Sequence, residues 1–386
     1  MNTLDKNIRN KRRKKNDKEN PEVKKEHKTI KIKNFFSVMF LCGSIGIFVV
    51  LTLLYGPWNG FRDWLITSAM TTMHHQYLAT WFYNDEVINY VLDNNKVHEI
   101  KQDTNLDLIQ VMDDENFEVP TTFANEYEEQ ILNRDSSNND YKIIEIDGDG
   151  YDGYLVAIYN PKRIKTVATK YLGTSGQYLT KMAEENDALV AINAGGFDDD
   201  NFDGTGGAPL GITISEGDVV YEREYEGTGG LVGFTEDNIL VCTKCDSSKK
   251  DSLNLRDAVT FGPFLIVNGE RAKVSGNGGW GTAPRSAIGQ RQDGIVLFVV
   301  INGRTATRPG ATMNDLIDIM ERYGAYNACN LDGGTSSALV VNNKIVNDPI
   351  DSKGNHRTRP VSTAFILTKD SKDNSDHTVV QNKLDK

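Results

Sequence analysis

The stretch Asn330-Leu331-Asp332-Gly333-Gly334-Thr335-Ser336-Ser337 places an acid, two glycines and three hydroxyls directly after a run of apolar residues. That run, residues 325–331, predicts a buried strand, so the polar residues should lie where the strand ends. Adjacent glycines allow backbone N–H groups to face a ligand, and Asp332 adds a carboxylate. A tight turn between two strands would also account for the glycine pair. The octapeptide is therefore the first candidate for a functional site.

A second stretch repeats this arrangement earlier in the chain. Residues 188–192 predict another buried strand, which delivers Asn193-Ala194-Gly195-Gly196-Phe197 at its end. If the two strand ends converge, Asn193, Gly195 and Gly196 share a cleft with the octapeptide.

At these residues the chain resembles the phosphodiester glycosidase family, whose strongest signature is the run Leu-Asp-Gly-Gly-x-Ser-Ser. Thr335 stands where a third glycine is common in that family. The resemblance covers roughly residues 141–368, and further stretches similar to the family's blocks occur in the family's order: 191–197, 262–264, 284–289 and 310–312. It implies hydrolysis of a glycosyl phosphodiester, which releases a sugar and leaves a phosphomonoester, and it implies that Arg285 and Asp332 share one cleft.

Cleavage at an anomeric carbon needs a carboxylate facing an oxocarbenium-like centre, and Asp332 is predicted to be that carboxylate. Arg285 is predicted to be the second catalytic residue, because a phosphodiester leaves as an anion that a guanidinium fork can stabilise. An ordinary surface ion pair is the alternative for an isolated arginine. The predicted substrate-binding residues are Asn193, Gly195, Gly196, Gly333, Gly334, Thr335, Ser336, Arg304 and Arg359.

Four carboxylates follow the second stretch within six residues, at Asp198, Asp199, Asp200 and Asp203. Such a cluster can hold a divalent cation or supply a second catalytic carboxylate, and Asp198 and Asp203 are the candidates for both roles. A solvated acidic loop is the alternative. The divalent cation is the one cofactor that the sequence suggests.

Two other functions remain open at this point. A non-catalytic module could grip an anionic glycan through the same arginine and hydroxyl groups. A metal-dependent phosphodiesterase would break P–O rather than C–O bonds, and the acidic loop would hold its metal.

The first 34 residues are basic, with thirteen Lys/Arg and five Asp/Glu, a net charge of +8. Since the whole chain carries −11, residues 35–386 carry −19. A basic head can bind nucleic acid or an anionic lipid surface. The segment that follows it favours lipid, so no nucleic-acid partner is predicted.

Residues 35–55 form a run of 21 residues without a charge, close to the ~20 that cross a bilayer as a helix. A buried core helix and a cleaved signal peptide are the alternatives. The run exceeds a typical signal h-region, and no small-x-small site follows it. Because Lys/Arg mark the cytoplasmic side, residues 1–34 are predicted to be cytoplasmic and the chain from residue 56 extracellular. The sequence thus predicts a single-pass cell-membrane protein.

Residues 56–92 predict a juxtamembrane helical region whose tryptophans and tyrosines suit a membrane interface. A second span within residues 64–82 is disfavoured by His74, His75 and Gln76 near its centre. Residues 93–140 are acidic and polar, and they predict a spacer that holds the ectodomain away from the membrane.

Residues 141–368 predict the globular domain, and residues 369–386 a polar tail. Hairpins are frequent, as at Glu216-Gly217 and Glu236-Asp237, and Thr312 is predicted to cap a helix that ends at Gly324. This pattern predicts an α+β fold with a mixed, hairpin-rich sheet flanked by helices. Residues 147–153 superficially suggest a calcium loop, but no Glu follows at the twelfth position, so a turn between strands is predicted.

The chain has four cysteines, and Cys42 lies in the predicted span. Cys242-x-x-Cys245 lacks the second pair of a zinc ribbon, and outside the cell it is expected to form a short-loop disulfide. Cys329 is expected to fill the core as a free thiol. Trp280 lies in a glycine-rich loop and is predicted either to stack on a sugar or to pack on the core.

Overall fold

The structure is a computed structural model, and it describes residues 21–72, 75–112, 119–135, 138–198, 205–351 and 353–369. The chain divides into two compact units, with the boundary after Arg62.

The first unit is built on helix α1 (Pro21–Tyr55). Residues Lys31–Tyr55 of this helix span 25 residues with a mean hydropathy of 2.4, so by length and composition they could cross a membrane. A signal sequence would have the same properties.

The second unit begins in helix α2 (Asn59–Met70) and combines helices with many short strands. The remaining helices are α3 (Tyr77–Thr80), α4 (Asp85–Asn94), α5 (Glu126–Leu132), α6 (Leu179–Glu185), α7 (Ser248–Ser252) and α8 (Met313–Arg322). The strands are β1 (Lys96–Val97), β2 (Tyr141–Gly148), β3 (Tyr151–Ile158), β4 (Ile164–Ala168), β5 (Ala188–Asn193), β6 (Phe197–Asp198), β7 (Ala208–Pro209), β8 (Ile212–Ser215), β9 (Asp218–Glu222), β10 (Gly230–Thr235), β11 (Leu240–Thr243), β12 (Leu255–Phe261), β13 (Phe264–Val267), β14 (Glu270–Arg271), β15 (Val274–Ser275), β16 (Ser286–Arg291), β17 (Val296–Ile301), β18 (Ala325–Leu331), β19 (Leu339–Val341), β20 (Lys344–Ile345) and β21 (Thr363–Thr368).

Three antiparallel sheets carry the fold. The largest has seven strands in the order β14-β13-β18-β16-β17-β3-β2, and two five-stranded sheets have the orders β20-β19-β5-β21-β4 and β11-β10-β12-β8-β9. Several neighbours are also sequence neighbours joined by hairpins, such as β2 and β3, which turn between Gly148 and Tyr151. The hairpin-rich α+β architecture predicted from the sequence is therefore confirmed, whereas the sheets are antiparallel rather than mixed among the described residues, because hairpins join many of the neighbouring strands.

The core is layered. One face of the seven-stranded sheet packs on α8, through residues such as Leu155, Val299 and Leu316. Its opposite face packs on the two five-stranded sheets, where Phe298 and Phe365 belong to one cluster of buried residues. Helix α6 then covers the outer face of β5, β19 and β21. Strands buried on both faces explain why their sequences read as continuous apolar runs rather than as alternating ones.

Helix α8 begins as predicted. The Thr312 side chain accepts a hydrogen bond from the backbone N–H of Asp315, whose carboxylate accepts one in return from the N–H of Thr312 at 2.8 Å. This capping box satisfies two N–H groups that have no partner within the helix. Gly324, at φ +81°, follows the helix C-terminus.

Residues 93–140 were predicted to be a spacer, but their described parts form contacts with the rest of the second unit. Within residues 93–140, strand β1 pairs with β15, the Thr104 hydroxyl accepts a bond from the N–H of Cys242 at 2.9 Å, and Gln110 N–H donates to the Gln292 carbonyl at 2.9 Å. The physical reason is that the few apolar residues of this segment, such as Ile131, are enough to pack on the core. Its described parts are therefore a strap on the second unit.

The disulfide expected between Cys242 and Cys245 is not formed, since all four cysteines are free. Cys242 lies in β11 and is fully buried, whereas the Cys245 thiol lies 3.4 Å from the Thr260 hydroxyl. Burial raises the pKa of the Cys242, Cys245 and Cys329 thiols. Protonated thiols are poor nucleophiles, which agrees with Cys329 as core filler.

Candidate active site

The candidate active site lies where the seven-stranded sheet meets a five-stranded one. Strand β18 ends at Leu331, which is paired with Ser286 at the start of β16. The chain then crosses to β19, which pairs with β5. During this crossing the N–H of Asp332 donates to the carbonyl of Ala194 at 3.0 Å. The two glycine-containing stretches found in the sequence therefore converge.

Asn193 connects the strand ends. Its Nδ2 donates to the Asp332 carbonyl at 2.6 Å, and its Oδ1 accepts from the Ser286 hydroxyl at 2.7 Å and from Ala338 N–H at 3.0 Å. Asn193 is fully buried and all three bonds are internal to the protein. Asn193 was predicted to bind substrate, and in the structure its side-chain amide bonds the Asp332 carbonyl, the Ser286 hydroxyl and the Ala338 N–H.

Asp332 has a carboxylate that its surroundings leave partly unpaired. Its Oδ2 is buried and has no hydrogen-bond partner among the described residues. Burial raises the pKa of Asp332, while the guanidinium of Arg359, the Ser336 hydroxyl and the Gly333 N–H oppose that rise. A buried acceptor without a partner is costly, so its presence here points to a group that a ligand or water would satisfy.

Ser336 and Arg359 form the cationic side of the site. The fully buried hydroxyl of Ser336 accepts a bond from Nε of Arg359 at 2.9 Å. The guanidinium carbon of Arg359 lies 4.3 Å from the ring centroid of Phe197, which is a cation–π distance. Among the described residues, Nη1 and Nη2 of Arg359 have no hydrogen-bond partner, so two donors in fork geometry remain available for an anion.

The loop after Asp332 is a tight 3-10 turn over Gly334–Ser336. Gly334 adopts φ +63°, a conformation that favours glycine, and its N–H donates to the Pro284 carbonyl at 2.9 Å. A Cβ added at Gly333 would lie 3.0 Å from that same carbonyl. The glycines therefore allow the loop to pack against the start of β16, and Thr335 lies half-buried at its tip.

Arg285 is almost completely buried, with 4% of its surface exposed. Its Nη2 donates to the carbonyls of Trp280 and Gly281 at 2.6 and 3.0 Å, and its Nε donates to the Ala311 carbonyl at 3.3 Å. Burial, followed by the charge of Arg304, lowers the pKa of Arg285. Carbonyl groups therefore occupy most of the guanidinium fork that was predicted to hold a phosphate. Of the three guanidinium nitrogens of Arg285, only Nη1, which lies beside Gly333, has no acceptor among the described residues.

The other predicted binding residues lie around this centre. Arg304 is exposed, and its Nη2 donates to the Thr282 carbonyl at 2.7 Å, within the electrostatic reach of Arg285. The N–H of Gly195 donates to the Thr363 hydroxyl at 2.9 Å. A Cβ at Gly196 would lie 2.4 Å from the ring of Phe261. Both glycines serve close packing behind the site.

Trp280 packs on the core, which is the second of the two alternatives predicted for it. Its ring is packed edge-to-face against Phe261, with centroids 6.1 Å apart, and the side chain contacts the core cluster beneath α8. Its carbonyl, rather than its ring, is what contacts Arg285 most closely.

The acidic loop is described only at Asp198, which forms an ion pair with Arg223 at 2.7 Å. Asp199, Asp200 and Asp203 lie outside the described residues. Among the described residues no group of three or more His, Cys, Asp or Glu side chains could hold a metal ion.

Two serines in the quoted stretches were not among the predicted site residues. Ser286 contributes the hydroxyl that binds Asn193, and the Ser337 hydroxyl is buried with no partner among the described residues. Both belong to motif stretches, so their positions were noticed. Nothing in the sequence separates a hydroxyl that faces the cleft from one that packs behind it.

Residues 186–368 match the family described as phosphodiester glycosidase. Over 194 residues, 47% of this chain, the sequence is 29% identical to the SPβ prophage-derived uncharacterized protein YomE of Bacillus subtilis (strain 168). The chain spans only 29% of the length of that relative.

Two solved structures are similar. The catalytic domain of zebrafish N-acetylglucosamine-1-phosphodiester alpha-N-acetylglucosaminidase, auto-inhibited by its pro-peptide, has a TM-score of 0.50 at 21% identity, covering 60% of this chain and 83% of that one. A hypothetical protein from Synechocystis has a TM-score of 0.41 at 17% identity, covering 58% and 61% of the two chains. The zebrafish structure supports the fold.

The family match begins at residue 186, but strands β2 and β3 upstream of it belong to the same seven-stranded sheet. The folded unit is therefore larger than the matched segment. Over residues 186–368 the chain is therefore similar to the phosphodiester glycosidase family, whose members are glycosidases that act on phosphodiesters.

Proposed function

We propose that this protein is an extracytoplasmic hydrolase that cleaves the sugar-1-phosphodiester bond of a cell-surface polysaccharide, a teichoic-acid-like polymer or an exopolysaccharide. The observation that supports it best concerns two groups that lack hydrogen-bond partners among the described residues: the buried Oδ2 of Asp332 and the terminal Nη groups of Arg359. A carboxylate and a guanidinium side by side suit a substrate in which an anomeric carbon is joined to a phosphate.

In this proposal Asp332 faces the anomeric carbon and stabilises the positive charge that develops there. Its backbone is held by Asn193 and Ala194, so the carboxylate needs little reorganisation during the reaction. Ser336 bonds Arg359 and is close enough to affect the titration of Asp332, so it aligns the anionic and cationic groups. A second carboxylate remains unassigned, with Asp198 and Asp203 the candidates.

The phosphate is proposed to bind between Arg359 and Arg285. Arg359 offers both Nη groups, and Arg285 offers Nη1 beside Gly333. The leaving phosphomonoester is anionic, so two cationic donors can stabilise its departure without protonation. Arg359 thus takes the bidentate role that the sequence suggested for Arg285.

The location is proposed from the N-terminal part of the chain. An apolar helix over Lys31–Tyr55 follows a basic segment, and this order favours a cytoplasmic N-terminus with the catalytic domain outside. N-acetylglucosamine-1-phosphodiester, named for the zebrafish relative, is the first sugar phosphodiester to test.

Hydrolysis in ¹⁸O-labelled water tests the reaction. Cleavage of the C–O bond leaves the released phosphomonoester unlabelled and puts the label in the sugar. Label in the phosphate would overturn the proposal in favour of a phosphodiesterase, especially if a chelator also abolished activity. Saturable binding of the polymer without turnover would instead identify a binding module.

A further inference from the structure

Residues 63–98 precede the family domain, and we call them the upstream segment; they are described except for residues 73–74. We propose that the upstream segment positions Arg285 by supporting the glycine-rich loop 276–281. This inference rests on the proposed function, because it concerns the same site.

The loop reaches Arg285 through its backbone. The carbonyls of Trp280 and Gly281 accept bonds from Nη2 of Arg285 at 2.6 and 3.0 Å. These are two of the three hydrogen bonds that the guanidinium makes with described residues. The position of the loop therefore sets the direction in which the free Nη1 points.

Asn95 holds the start of the loop. Its Oδ1 accepts from the N–H of Asn277 at 2.9 Å, and its Nδ2 donates to the Val91 carbonyl at 2.8 Å. Gly276 and Gly279 both have positive φ, and a Cβ on them would lie 2.0 Å from Oδ1 and 2.2 Å from the carbonyl oxygen of Asn95. Asn95 is 4% exposed. The glycines are thus required for close approach of the loop to α4.

Helix α2 holds the rest of the loop. The fully buried Thr67 accepts a bond from Nδ2 of Asn277 at 2.8 Å and donates to the Asp63 carbonyl at 2.7 Å. Gly281, at φ +57°, lies so close to Ser68 that a Cβ would be 2.7 Å from its Cα and 2.9 Å from its backbone nitrogen. The residue whose carbonyl contacts Arg285 therefore packs directly on α2.

The upstream segment also pairs with strand β15, which immediately precedes the loop. Lys96 and Val97 pair with Ser275 and Val274, and His98 N–H donates to the Lys273 carbonyl at 2.8 Å. Contacts at both ends of the segment therefore support residues 273–281. Thr67 and Asn95 act through this loop, so they are positioning residues.

Thr67→Val in the full chain tests the proposal, because the change keeps the shape of the side chain and removes the hydroxyl that contacts Asn277. A misplacement of 1 Å can cost about 10²-fold in rate, so a smaller shift of Arg285 should lower kcat/KM roughly 10-fold. Thr67→Ser keeps the hydroxyl and should stay within about threefold of wild type. Thr71→Val is the control, since the only described partners of the Thr71 hydroxyl are the carbonyls of Thr67 and Ser68 in the preceding helical turn.

A double-mutant cycle with Arg285→Lys separates positioning from a general loss of stability. If Thr67 acts through Arg285, Thr67→Val should change kcat/KM by less than about threefold once Arg285 is already replaced. Faster amide hydrogen exchange in residues 276–281 of Thr67→Val, with unchanged exchange in β16, is the expected structural signature.

Thr67→Val with wild-type kinetics, alongside an impaired Arg285→Lys, would overturn the positioning role and leave the proposed function intact. Equal losses in the wild-type and Arg285→Lys backgrounds would also overturn it, because the effect would then bypass Arg285. If Arg285→Lys and Asp332→Asn both keep full activity, the proposed function itself fails.

Discussion

At the scale of single residues, the site combines a buried acid with two arginines of different availability. Asp332 is placed by its backbone, through bonds to Asn193 and Ala194, while its Oδ2 is left without a partner among the described residues. Arg285 donates three N–H groups to carbonyls, whereas the two Nη groups of Arg359 have no hydrogen-bond partner in the described part of the chain. Buried groups of this kind cost stability, and active sites are where proteins tolerate that cost.

Asp332→Asn should lower kcat by about 10²-fold or more, because a carboxylate in the chemistry contributes at least that much. It should not lower the melting temperature at pH 7. Burial raises the pKa of Asp332 above 3.8 in the folded protein, so folding favours the protonated form and stability falls as the pH rises from that value through the folded pKa. Asparagine removes this dependence.

Thermal melts of wild type and Asp332→Asn between pH 4 and pH 7 check the sign. The wild type should lose stability relative to the variant as the pH rises. Two results would contradict the catalytic role of Asp332. In the first, Asp332→Asn is less stable than wild type at pH 7. In the second, Asp332→Asn retains an activity within about threefold of wild type.

Arg359→Gln should weaken substrate binding and also shift the pH profile. The Arg359 charge lowers the pKa of Asp332, so its removal should move the acid limb of kcat/KM to higher pH. Arg359→Lys keeps the charge, so the limb should stay in place while kcat/KM falls because the fork is lost. Arg357→Lys is the control, since Arg357 is exposed and bonds Asp351. Equal pH profiles for Arg359→Gln and wild type would show that the charge of Arg359 does not influence the titration of Asp332.

At the scale of secondary-structure elements, the site depends on strand ends being held together. Strands β5 and β18 belong to different sheets, and Asn193 links them by bonding the Asp332 carbonyl and the Ser286 hydroxyl. The paired register of Ser286 and Leu331 then places Arg285 beside the loop that follows β18. No single element contains the site.

Asn193→Ala should destabilise the protein by about 3 kcal/mol, because it leaves several buried polar groups unsatisfied. Activity should fall in the folded fraction as well, since the Asp332 backbone loses its anchor. Denaturant unfolding monitored by circular dichroism measures the free energy of unfolding. Asn186→Ala is the control: Asn186 is exposed, and among the described residues its side chain bonds only the Met182 carbonyl, so loss of the side chain should cost less than about 0.5 kcal/mol. Equal costs for the two variants would contradict the linking role.

At the scale of the whole molecule, the upstream segment makes the folded unit longer than the family domain. The second compact unit starts at Asp63, although the family match starts at residue 186. Residues 63–98 contribute the Asn95 and Thr67 contacts to the loop that carries the acceptors of Arg285.

A chain of residues 63–386 should therefore hydrolyse a soluble glycosyl phosphodiester at nearly the rate of the full chain. A chain of residues 99–386 lacks β1 and both loop contacts, and its kcat/KM should fall by roughly 10-fold or more. Both can be compared by kinetics and by thermal melting on purified protein. Equal activity of the two chains would show that the upstream segment is dispensable for the site.

Much of this organisation follows from the sequence alone. The Asp332 octapeptide, the strand before it and the capping box at Thr312 are local patterns, in which a few neighbouring residues decide the structure. The apolar stretch over residues 35–55 is local in the same sense. These predictions needed no knowledge of what packs against what, and the α+β fold class followed from their order along the chain.

The tertiary structure decided which groups each side chain meets. Asn193 was predicted to bind substrate, but its side chain forms hydrogen bonds within the protein. Arg285 was predicted to bind phosphate through its fork, but part of that fork donates to carbonyls of a loop. The polar segment after residue 93 was predicted to be a spacer, but it pairs with the folded domain. In each case the partners come from distant parts of the chain, as with Asn95 and Asn277. The identity of a hydrogen-bond partner across such a separation depends on sheet register and packing, and local sequence carries no information about either.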